Sequence, residues 1–128
     1  MARDYVTETL MGEALGEGEL GMRAVAEVIK NRAAERGLSP EQVVLQPKQF
    51  SFWNNPITSQ TFLKKNGSKD NYAKAKKVWD AVIAGQNELV GNSNLYHVAT
   101  MKKFPSWAKS KNVKKVTQVG NHIFYQES

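Results

Sequence analysis

Two glutamates, Glu13 and Glu17, stand four residues apart near the start of the chain. On a continuous helix this spacing puts both carboxylates on one face, where like charges are mildly destabilising, so helix stability gives no reason for the pair. Around them lie Gly12, Gly16, Gly18 and Gly21, which weaken a helix but let another chain or a ligand come close to the backbone. Crowding and partial burial raise a carboxyl pKa, and a glutamic acid that keeps its proton near neutral pH can hand it to a leaving oxygen. Chemistry of this kind breaks glycosidic bonds. The plainer alternative is the solvated acidic face of an ordinary helix.

A second cluster follows at Gln46, Gln49, Phe50, Ser51, Phe52, Trp53, Asn54 and Asn55. Aromatic faces and side-chain amides together are what a carbohydrate cleft needs, although at least one of the three aromatic rings is expected in the core. With no cysteine in the chain, disulfides, thiolate zinc sites and thiol nucleophiles are all excluded.

Helices must carry most of these groups. Val6, Leu10 and Ala14 recur at helical spacing and predict a helix over residues 4–15, weakened at Gly12 and ended near Gly16 or Gly18. A second helix is predicted over residues 19–35, with Met22, Val25, Val28, Ile29 and Ala33 on one face and Gly37 as its left-handed terminator. Ser39-Pro40-Glu41-Gln42 reads as a capping box with proline in the first turn, opening a short helix that Pro47 stops. Residues 49–71 are irregular and read as a loop region with aromatic anchors. Asp70 is the expected cap of a helix bearing Tyr72, Ala75, Val78, Trp79, Val82 and Ile83, ended by Gly85. Residues 95–99 suggest a short strand, and Gly120-Asn121 between Val116–Val119 and His122–Tyr125 predicts a hairpin. The fold class expected is α+β and mostly helical, a single domain with a small C-terminal β-hairpin.

These motifs together resemble the spore-cortex-lytic type of cell-wall hydrolases, the SleB/CwlJ-like family. The resemblance rests on Gly12-Glu13-Ala14-Leu15-Gly16-Glu17, Gly21, and the run from Ala24 to Asn31-Arg32. It continues through Gln46-Pro47-Lys48-Gln49-Phe50-Ser51, Tyr96-His97 and Gly120-Asn121-His122-Ile123-Phe124-Tyr125. Leu15 departs from the family's usual arginine and Met11 from its common aromatic residue. The resemblance implies a lysozyme-like domain with a cleft for the peptidoglycan glycan strand, cutting between N-acetylmuramic acid and N-acetylglucosamine with Glu13 as the acid. It leans toward a lytic transglycosylase, in which the sugar's 6-hydroxyl attacks and leaves an anhydro end. A muramidase would need a second carboxylate across the cleft. Glu17, if on the same helical face as Glu13, would tune or orient instead.

Gln49, Ser51 and Tyr96 are candidate hydrogen-bonding groups for the sugar, Phe50 and Trp53 candidate subsite walls, and His97 a further substrate contact. Arg32 is expected to pair with an acid of the first helix. The chain has only two histidines, His97 and His122, so a zinc-dependent amidase, the alternative enzyme, would need a carboxylate as third ligand. No cofactor or metal is expected.

The net charge of +6 is uneven: residues 64–115 hold twelve lysines against three acids, and residues 1–63 six bases against eight acids. A basic half suits a polyanionic partner, and peptidoglycan is the one expected; a basic module for wall polymer or nucleic acid is the non-enzymatic alternative. Nucleic acid is not expected, because no reading motif accompanies the lysines. No stretch is apolar long enough to span a bilayer, so stable membrane insertion is not expected, and a monomer is. The opening Met1-Ala2-Arg3-Asp4 lacks the apolar run of a secretory signal. A bacteriophage endolysin held in the host cytoplasm until release is therefore expected, or else a trimmed bacterial enzyme of the periplasm or wall.

Overall fold

In the computed structural model, which describes residues 4–46, 50–85 and 89–127, Asp4 caps the first helix by accepting the Thr7 N–H at 3.0 Å. Helix α1 (Tyr5–Ala14) buries Val6, Leu10, Met11 and Ala14. It does not carry on to Glu17. A 3-10 turn over Leu15–Glu17 follows, and Gly18, at φ +76°, turns the chain into α2 (Gly18–Arg36). The expectation that Glu13 and Glu17 share a helical face is therefore corrected: Ala14, at φ −146° and ψ 11°, leaves the helical region and the 3-10 turn re-aims Glu17, while the positive φ of Gly18 then lets the chain bend into α2.

Helix α3 (Pro40–Val44) has the predicted capping box on Ser39 and Gln42. Pro47 lies outside the described residues. Residues 49–71, expected to be loop, contain a helix, α4 (Pro56–Asn66). Its start was spelled out in the sequence: Asn55 accepts the Ile57 and Thr58 N–H groups, and Pro56 occupies the first turn. It lies on the surface, with Ser59 its one buried residue and Ile57 exposed, and only Phe62 and Leu63 turn toward the core, too short an apolar stripe to betray it. Helix α5 (Lys69–Ile83) is capped by Ser68, which accepts the Asn71 N–H at 3.2 Å. Asp70, the expected cap, sits one residue inside the first turn, where its charge suits the helix dipole.

Strand β1 (Leu95–Val98) joins the predicted hairpin, β2 (Val113–Val119) and β3 (His122–Glu127), in an antiparallel sheet of order β1-β3-β2. The sheet is thus one strand wider than the hairpin, and a bulge at Val116 breaks the β2–β3 register. Strand alternation divides the side chains. Tyr96 and Phe124, paired across β1 and β3, lie on the face toward α2, where Phe124 meets Ala24, Val28 and Val90. His97, Ile123 and Tyr125 lie on the other face, under Trp107 of the long β1–β2 connection. The main core fills the space between α1, α2, α3 and α5, and each fully buried residue such as Leu10, Ile29 or Val82 contributes about 1.5–3 kcal/mol. Among the described residues no helix is long and apolar enough to cross a membrane.

Candidate active site

Glu13 projects from the last turn of α1 into a cleft of about 700 Å³, a size suited to small ligands. Its carboxylate is gripped from two directions. Tyr96 donates its hydroxyl to Oε1 at 2.6 Å, and the Phe52 N–H and the Ser51 hydroxyl donate to Oε2 at 3.0 and 3.2 Å. Glu13 is the only carboxylate among the described residues lining this cleft.

The Ser51–Trp53 turn that supplies two of these donors is itself fastened to α1. Trp53 donates its indole N–H to Thr9 Oγ1 at 2.7 Å and packs edge-on to Tyr5. The Phe52 ring lies over Gly12, so closely that a Cβ there would fall 2.1 Å from it. Gly12 thus admits a neighbouring ring while its backbone lines the cleft, and it sits beside the acid because the turn must come close to deliver the Phe52 N–H. Phe50 is buried in the core, under the Arg32 guanidinium at 5.0 Å. Phe50 and Trp53, expected to line sugar subsites, are not among the residues lining the cleft: Phe50 sits in the core and Trp53 fastens the turn to α1. Ser51 does line the cleft, with Asn54 beside it. Gln49 lies outside the described residues.

Tyr96 reaches Glu13 because α2 pins the chain that leads into β1. Asn31 donates to the Gly91 and Ser93 carbonyls at 2.8 and 2.9 Å, and Arg32 Nε to the Asn94 carbonyl at 2.6 Å. The Asn31-Arg32 motif is therefore a clamp on backbone, and the expected ion pair of Arg32 with a first-helix acid gives way to it. Burial pulls the Arg32 pKa down to about 10, against the pull of Tyr96 and Glu13, so the group keeps its charge at neutral pH. Burial, and then the negative charge and hydrogen bond of Glu13, push the Tyr96 phenol well up, which keeps it a donor. Glu27, missed in the sequence, is fully buried in α2 and accepts the Leu89 and Val90 N–H groups at 3.0 Å, tying down the same lead-in.

His122 and Arg32 both line the cleft, and among the described residues only Arg32 Nη1 and His122 Nδ1 are buried side-chain polar atoms without a partner. Burial lowers the His122 pKa, outweighing the pull of Glu17 and Glu13, so the neutral imidazole is favoured. Glu17 does not line the cleft. Its carboxylate lies against the hairpin turn, where a Cβ on Gly120 would meet Oε2 at 2.7 Å. His97 also lines the cleft, though it is largely buried, and its ring nitrogens contact the Tyr125 hydroxyl at 2.8 Å and the Val98 carbonyl at 2.9 Å. Paired with Ile123, it faces away from His122, and among the described residues no three His, Asp or Glu side chains could hold a metal together. The opposite wall, Met101, Pro105 and Trp107 of the β1–β2 connection, went unrecognised as cleft lining. The signal was there: large apolar residues among lysines.

The cell wall hydrolase family matches residues 16–125. The structure also resembles the catalytic domain of the germination-specific lytic transglycosylase SleB from Bacillus anthracis, with a TM-score of 0.71 and 23% identity over 95% of this chain and 91% of that one. The catalytic domain of the SleB protein from Bacillus cereus gives 0.68 and 23%, over 94% of this chain and 86% of that one. Identity at this level speaks for a shared fold, the mostly helical α+β arrangement expected. Among curated protein sequences none matches.

Proposed function

The chain belongs to the cell wall hydrolase family, and from that premise we propose that it cuts the β-1,4 bond between N-acetylmuramic acid and N-acetylglucosamine in peptidoglycan, with Glu13 as the acid. One observation carries the reading: a carboxyl group set in a cleft wall and held there by Tyr96, Ser51 and the Phe52 N–H, with no second carboxylate among the described lining residues. The family match opens at residue 16, so the role of Glu13 rests on this geometry.

Glu13 gives its proton to the glycosidic oxygen as the bond from C1 breaks and positive charge develops on the muramic sugar. Two of its partners are hydroxyls, which donate to a carboxylate and accept from a carboxyl, so the group stays hydrogen-bonded before and after transfer. The buried, charged Arg32 offsets the negative charge left behind. With no other carboxylate among the described lining residues to hold a water or form a covalent bond, the sugar's own 6-hydroxyl attacks C1 and its proton returns to Glu13. The product is an anhydro sugar, as for the lytic transglycosylase whose fold this chain shares. Glu17 does not line the cleft and takes no part in the bond-breaking step; its carboxylate lies against the hairpin turn at Gly120.

Mass spectrometry of digested, purified peptidoglycan tests the reading. Fragments one water lighter than hydrolysis products are expected, whereas reducing ends would mean a muramidase and free stem peptides an amidase.

A further inference from the structure

The β1–β2 connection, residues 99–112, carries four lysines and no acid. Its base is rigidly built. Phe104 packs on His97 with ring centroids 4.4 Å apart, and Trp107, within a 3-10 turn over Ser106–Lys109, stands edge-on to Tyr125 at 5.3 Å. The tip is another matter. Met101 and Phe104 are each 38% exposed, with the exposed Lys102 and Lys103 between them, and Met101 and Pro105 on either side line the cleft that holds Glu13. Apolar side chains held in water on a fixed base, beside ammonium groups with no acid in the segment, describe a surface made to be covered by an anionic, partly apolar group.

We propose that this tip is a second subsite of the cleft and takes the peptide arm of the glycan strand. Lys102 and Lys103 pair with the free carboxylates of the arm, while Met101 and Phe104 cover its methyl and methylene groups. The inference rests on the glycosidase reading, because the arm hangs from the muramic sugar whose bond is cut and must leave the cleft over one of its walls. The Ser51 and Asn54 wall offers it uncharged groups; the β1–β2 wall offers charge complementarity.

The test compares kcat/KM on two substrates: peptidoglycan freed of phosphate polymers, and the same glycan after an amidase has removed its peptides. The wild type is expected to prefer the peptide-bearing form. In K102E/K103E this preference should fall about tenfold, in K102Q/K103Q by less, and in the wild type it should shrink as salt is raised. Both positions are exposed, so the fold is expected to survive, and a circular dichroism melt checks this. An unchanged preference ratio in the folded K102E/K103E protein would overturn the proposal. A wild type that cut neither substrate would overturn the glycosidase reading and this subsite with it, an outcome distinct from a shifted ratio.

Discussion

Glu13 can serve both halves of the proposed reaction because its surroundings are stiff in position but adaptable in proton placement. The Phe52 N–H fixes Oε2, and the Tyr96 and Ser51 hydroxyls turn with the protonation state. Glu13→Gln keeps the size and the acceptor but not the acid, so kcat should fall by at least about 10³ with the melting curve nearly unchanged. Wild-type lysis by the folded variant would remove Glu13 from the chemistry. Tyr96→Phe keeps the ring stacked on Phe124 at 5.5 Å and loses only the hydroxyl. A drop in kcat of roughly 10- to 100-fold is expected, the worth of a hydrogen bond to a charged group, with a much smaller change in Tm. His122 gives a signature in pH. Its folded pKa lies below the ordinary 6.5, so the unfolded chain binds the proton more readily. Its contribution to stability is complete above about 6.5 and is lost as pH falls toward the lower, folded value. Thermal melts between about pH 7 and 5 should show a steeper loss for the wild type than for His122→Phe; equal slopes would contradict the assignment.

At the scale of elements, the site is an agreement between a helix end, a turn and a strand, each fixed by its own fastening. Gly12 lets the turn approach α1, so Gly12→Ala, with its Cβ driven into Phe52, should cost about 1–3 kcal/mol by displacing the ring. It should also lower kcat, because the displaced turn carries the Phe52 N–H away from Glu13. Activity assays alongside melts would show both losses; a variant unaffected in kcat would mean the turn is not needed. Glu27→Ala would leave the Leu89 and Val90 N–H groups without their acceptor. About 3 kcal/mol is expected, a Tm lower by roughly 10 °C. Sequence patterns foretold α1, α2, α3 and the hairpin, since caps, apolar stripes and the Gly120-Asn121 turn are local signals. Helix α4 escaped because its signal was a cap followed by only Phe62 and Leu63 as an apolar stripe. The break after Ala14 escaped because four residues between two glutamates say nothing about whether the helix between them continues.

At the scale of the molecule, residues far apart in the sequence meet at one carboxyl group. Glu13 was singled out by its residue type and by the family resemblance; Ser51 and Tyr96 were named as sugar-binding groups, whereas the structure turns both hydroxyls toward Glu13, and the division of labour among the aromatics was not legible. Whether a ring faces a sugar or braces a turn depends on packing across the fold, which residue type does not encode. The roles of Arg32 and Glu27 were hidden for a similar reason: their partners are backbone groups, invisible in a list of side chains. His97 and His122 both line the cleft but from opposite faces of the sheet, and among the described residues no third ligand joins them, so activity should be indifferent to EDTA; loss restored by zinc would favour an amidase.

The decisive measurement is the mass of what the enzyme releases from purified peptidoglycan, with the folded Glu13→Gln protein as its control. Anhydro-muramic ends from the wild type and none from the control are predicted. Free stem peptides with intact glycan, or undiminished product from the control, would contradict the account.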